Sequence, residues 1–208
     1  MGVCGGWLTS IEIDPFSGTL GQMKIPSKYE EVPAISFFGD ASSRMSNFMV
    51  LGGVAVAGHR IAEFEERIAD IRDRGGIRSE FHWKEYRGGA KQRAYEELCR
   101  FGFGLINEKK AALHVMAADF RAFDHNRQAG QTRDTSINKL YWQLCLHRLA
   151  RFYGKERSIH IRLDAGDDCG NICEMRNQLC AAAYRKFSAR PNCIRSIEPM
   201  GSEKSGLI

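Results

Sequence analysis

Two aspartates stand at the ends of segments whose residue pattern is that of β-strands. Asp40 follows Ala34-Ile-Ser-Phe-Phe-Gly and leads through a polar connection into Asn47-Phe-Met-Val-Leu-Gly-Gly-Val-Ala-Val56. Both arms are rich in the β-branched and aromatic residues that suit a pleated, half-buried surface. Asp164 ends a run in which Ile159, Ile161 and Leu163 alternate with His160, Arg162 and Asp164. That two-residue period marks a strand with one apolar face. An acid so placed is held on rigid backbone beside a buried sheet, yet meets solvent at the strand end. Two of them, in a chain of strands and helices, point to a metal site that acts on phosphate. Phosphodiester hydrolysis uses two hard cations about 3.5–4 Å apart, which activate water and neutralise the leaving oxygen. Magnesium takes oxygen ligands and keeps several waters, so three or four carboxylates from separate elements suffice. The plainer reading of a strand-end aspartate is a cap on the turn or helix that follows, and Asp167 and Asp168 fit it.

The elements that must position these acids follow from periodicity. Ile61, Phe64, Ile68 and Ile71 recur at steps of three and four and predict an amphipathic helix over Ile61–Arg72, ending before Gly75-Gly76. Ser79–Tyr86 reads as a short, extended segment. A helix over about Ala90–Asn107 is expected to bury Tyr95, Leu98, Cys99, Gly102 and Ile106. Ala111–Phe120 is an apolar strand, and 124–135 a polar loop near which Arg121, Arg127 and Arg133 gather. Ser136–Tyr153 is the clearest helix, with Ile137, Tyr141, Cys145, Leu149 and Phe152 on one side. After the strand Ser158–Asp164, a helix from about Asn171 to Phe187 and a strand over Cys193–Pro199 complete the order. Strands alternating with helices imply an α/β fold, a mixed sheet flanked by helices that opens with an antiparallel strand pair. Residues 1–33, with recurring Gly, Pro and Ser, read as a poorly structured N-terminal extension.

Composition narrows the function. The chain has 208 residues, enough to bury a full core, and its 10% aromatic and 26% charged content is globular. No apolar run approaches the roughly 20 residues that span a bilayer, and the N-terminus lacks a secretory pattern, so no membrane is expected. Seven cysteines without such a signal point to a reducing, cytoplasmic setting. A net charge of +5 is compatible with a polyanionic partner. Cys169, Cys173, Cys180 and Cys193 contain no Cys-x-x-Cys pair, and packing explains them better than zinc. His-x-x-x-His and Gly-x-x-x-x-Gly-Lys are absent, against a zinc protease and a phosphate-cradling loop.

The run Phe38-Gly-Asp40-Ala-Ser-Ser, followed by Phe48-Met-Val-Leu-Gly-Gly-Val-Ala-Val56, resembles the opening hairpin of the domain-of-unknown-function-3800 family. Glu80-Phe-His-Trp83 resembles that family's Glu-Leu-Lys-Trp segment, here followed by a helix carrying Lys91 and Tyr95. Leu163-Asp164 is similar to its third acidic strand end, and Ser202–Ile208 to the approach to a closing helix with Gln-x-x-Asp. The likeness spans about residues 34–208. It implies a ribonuclease-H-like fold lacking its closing helix, with Asp40, Glu80 and Asp164 binding Mg²⁺ or Mn²⁺. It also implies His82 or Lys84 at the scissile phosphate of DNA or RNA. Ala41 replaces the family's usual Glu, and His82 its usual Lys, which makes a phosphate contact there pH-dependent. The rival reading is a catalytically inactive domain of the same fold that binds nucleic acid or a protein partner. Without a closing helix, apolar surface near Cys193–Pro199 is expected to be exposed.

Overall fold

Strands β1 (Ala34–Ser42) and β2 (Phe48–Ala57) form an antiparallel pair with Ile35 opposite Ala57 and Ser42 opposite Val50. The computed structural model describes residues 33–42, 47–78, 80–81, 86, 88–122, 133–164, 172–201 and 205–207. These fall in the unit Val32–Ile208, so the expected extension lies outside them, apart from Pro33. Strand β3 (Ala111–Asp119) adds antiparallel to β2. Strand β4 (Ser158–Asp164) lies parallel to β1, and β5 (Ile194–Met200) parallel to β4. The sheet order is β3-β2-β1-β4-β5. It is the mixed, helix-flanked α/β sheet with an antiparallel opening pair that periodicity implied.

Position in the sheet explains composition. β1 is central and buried on both faces from Ile35 to Gly39, so its apolar residues run on without a polar partner at every second place. One face carries Phe37, Met49, Leu51, Ile159, Ile161 and Leu163. It packs on helix α3 (Arg133–Leu144), its continuation to Tyr153, and helix α4 (Ile172–Phe187). The other face presents Phe38 and Val56 to helices α1 (Ile61–Arg74) and α2 (Gln92–Asn107), meeting Phe64 and Leu105. Gly76, at φ 61, turns the chain out of α1 as Ile77 N–H donates to the Arg72 carbonyl at 2.9 Å. The connection that bears Glu80 starts there.

Of Ser79–Tyr86, Glu80, Phe81 and Tyr86 are described, and none of the three lies in a strand. Three local expectations are corrected. Helix α2 turns Ala94, Tyr95 and Leu105 inward, while Gly102 faces open space. Phe152 points outward, 62% exposed, because Cys145–Ala150 is a π-helical stretch. Wider turns there shift the inward stripe, so a 3.6-residue count fails beyond it. Near Cys193–Pro199, Cys193, Ile194 and Ile197 are buried, while Ser205–Leu207 folds over α1. The exposed large apolar side chains of the sheet lie instead on β2 and β3.

Candidate active site

Phe38 and Arg162 are register partners on β1 and β4, and the Arg162 guanidinium sits 5.1 Å from the centre of the Phe38 ring. Two residues further along each strand come Asp40 and Asp164, one step past the Gly39–Leu163 pair. Alternation on parallel strands in register puts both aspartates on that same face, the α1–α2 face. The row continues across the sheet: Asp164 pairs with Met200 on β5, Asp40 with Gly52 on β2, and Gly52 with Val115 on β3. Two acids thus stand side by side at the carboxyl ends of neighbouring parallel strands. Asp40 is exposed and Asp164 half-buried. The Ala41 backbone N–H donates to Asp40 Oδ1 at 2.6 Å, which fixes the carboxylate against its own strand.

Glu80 comes from the α1–α2 connection. Helix α1 starts where β2 ends, and α2 ends where β3 starts, so that connection is at the far end of the helical hairpin. An ion-pair network ties the two helices there. Arg74 donates to Glu97 at 2.7 Å and to Asp70 at 3.0 Å, and Arg67 reaches both acids. The Arg74 guanidinium holds the Asp70 carboxyl below its ordinary value. Among the described residues, no group of three or more His, Cys, Asp or Glu side chains is assembled to hold a cation. Glu80 therefore does not join Asp40 and Asp164 in a three-ligand cluster. His82 and Lys84 lie outside the described residues. So does Arg127, while the Arg121 guanidinium donates to Asp119. The two carboxylates are oxygen donors of the kind a hard, water-retaining cation takes, and would supply two of its ligands.

Sequence reading missed a close backbone approach on the opposite face of the sheet, one residue before Asp40. Gly39 and Gly53 face each other across β1–β2, and a side chain at Gly53 would meet the Phe37 ring at 2.6 Å. The signal was the Gly52-Gly53 pair inside a strand, which marks close backbone approach. The two strand histidines prove structural. His114 Nε2 lies 2.8 Å from the Tyr153 hydroxyl, and His160 Nδ1 lies 3.1 Å from Ser196 Oγ. Burial pushes both imidazoles below their ordinary pKa. Cys180 and Cys193 are buried together, and a hydrogen bond from the Cys193 thiol favours the Cys180 thiolate while raising Cys193.

The fold is similar to a chain in the solved PCNA:RNase HII complex from Archaeoglobus fulgidus, at 15% identity and TM-score 0.40. That similarity covers 83% of this chain and 66% of the other, just under two thirds of its length. No family model and no curated protein matches the chain. No helix among the described residues is long and apolar enough to cross a membrane.

Proposed function

We propose that this protein is a metal-dependent nuclease of ribonuclease-H-like type, hydrolysing phosphodiester bonds of DNA or RNA in the cytoplasm. The observation that carries this reading is the placement of Asp40 and Asp164 on one face, each one step past the last register pair of adjacent parallel strands, Gly39 and Leu163. Mg²⁺ or Mn²⁺ held there would supply charge neutralisation for the phosphate and a lowered pKa for the attacking water. Asp40 and Asp164 hold the cation. Glu80 is the further acid that the family resemblance implies, and the same resemblance puts His82 or Lys84 at the scissile phosphate. The Ala41 amide keeps Asp40 oriented, so little side-chain freedom is lost on binding. The resemblance of the opening hairpin to the domain-of-unknown-function-3800 family supports the same assignment.

The second reading is an inactive domain of the same fold that binds nucleic acid or a protein. It is favoured by the absence of a three-acid group among the described residues and by Ala41 in place of a further carboxylate. Cleavage assays with Mn²⁺ on labelled DNA and RNA, with Asp40→Asn in parallel, separate the two. Metal-dependent cleavage lost in Asp40→Asn with folding intact supports the nuclease. Cleavage that survives the substitution rejects the site, and binding without cleavage supports the inactive domain.

A further inference from the structure

The acid row opens directly onto a bare apolar surface. On the α1–α2 face of β2 and β3, Phe48 is 52%, Val50 37%, Leu113 53% and Val115 45% exposed. Register makes them neighbours: Val50 faces Ala117, Gly52 faces Val115, and Phe48 faces Asp119. Gly52 is the partner of Asp40, so no side chain rises between the carboxylate and this platform. Strand spacing of about 5 Å puts the platform roughly 5–10 Å from Asp40. At the strand ends, Arg121 lies 4.5 Å from the centre of the Phe48 ring, and Asp119 holds that guanidinium at 2.7 Å. The ring is thus braced while half of it stays open.

We propose that this platform receives unpaired nucleobases flanking the phosphate at Asp40 and Asp164, making the substrate single-stranded nucleic acid. The inference rests on the nuclease reading for the phosphate's position. Flat, shallow apolar surface with an aromatic ring suits the face of a base, and that face is free only outside a duplex. The patch is bounded by Asp40 on one side and by the Asp119–Arg121 ion pair at its end. The basic chain supplies the long-range attraction for a polyanion.

The test is binding of fluorescent single-stranded oligonucleotides, DNA and RNA, and of the matching duplexes, to the full chain in EDTA. Phe48→Ala should weaken single-strand binding about tenfold and leave duplex binding unchanged, while Phe48→Trp restores or tightens it. Phe48 is exposed, and circular dichroism checks that its variants fold. Equal effects on single strands and duplexes, no effect of Phe48→Ala, or no oligonucleotide binding by the unaltered chain overturns the proposal. Light scattering that shows a dimer dissociated by Phe48→Ala also overturns it, and assigns the patch to a second copy of this chain. Omitting metal keeps the two readings apart. Single-strand binding that depends on Phe48, without cleavage in Mn²⁺, sinks the nuclease and leaves the platform. Cleavage that is indifferent to Phe48 does the reverse.

Discussion

Gly39 and Gly53 lie opposite each other across the β1–β2 ladder, and the Phe37 ring occupies the space their missing side chains leave. A Cβ at Gly53 would come within 2.7 Å of the Gly39 Cα and would overlap the Phe38 carbonyl oxygen. This contact sits one residue before Asp40, on the opposite face of the sheet from the acid row. Gly53→Ala should destabilise the fold by about 1–3 kcal/mol through overpacking. Gly102→Ala, whose new methyl meets nothing within 4 Å in mid-helix, should stabilise it by about 0.5–1 kcal/mol. Urea denaturation of both variants checks the pair, and equal effects would refute the packing argument.

Two carboxylates side by side repel each other unless a cation lies between them. In EDTA, Asp40→Asn should therefore raise the unfolding free energy by about 0.2–1 kcal/mol. In Mn²⁺ the sign should reverse, because the variant loses the ligand and at least about tenfold in metal affinity. Calorimetric titration and thermal melts with and without Mn²⁺ read both effects. A variant whose stability responds to Mn²⁺ as the parent does would remove Asp40 from the metal site.

His114 predicts the pH response. Burial holds its imidazole below the ordinary 6.5, so the unfolded chain takes up the proton more readily than the folded one. Stability should be fully present above about pH 6.5 and fall as pH drops from there toward the lowered folded value. His147 and His160 are shifted the same way, so His114→Gln should flatten the slope between pH 7.5 and 5.5 without abolishing it. An unchanged slope, measured by urea denaturation at each pH, would assign the effect to other groups.

Ser205 ties the segment after β5 to α1. Its buried hydroxyl donates to Glu65 Oε1 at 2.7 Å and accepts the Leu207 N–H at 3.2 Å. Ser205→Ala should cost about 1–3 kcal/mol, since the acceptor is charged and the hydroxyl is enclosed. A double-mutant cycle with Glu65→Gln measures the coupling, and purely additive losses would show that the bond contributes nothing.

Local sequence determined the elements because their periodicity is local. The alternation of Ile159, Ile161 and Leu163, and the spacing of Phe64, Ile68 and Ile71, can be counted along the chain, and each proved to face the core. The strand-end placement of Asp40 and Asp164 could be read the same way. Their adjacency could not. It depends on β1 and β4 pairing in parallel with Gly39 beside Leu163, a contact between segments over a hundred residues apart. The outward turn of Phe152 was hidden because a π-helical stretch shifts the helical count without marking itself in composition. The bare platform was hidden for a further reason: Val50, Leu113 and Val115 look like core by residue type. Only the tertiary arrangement, in which α1 and α2 leave that part of the β2–β3 face uncovered, decides that they meet solvent.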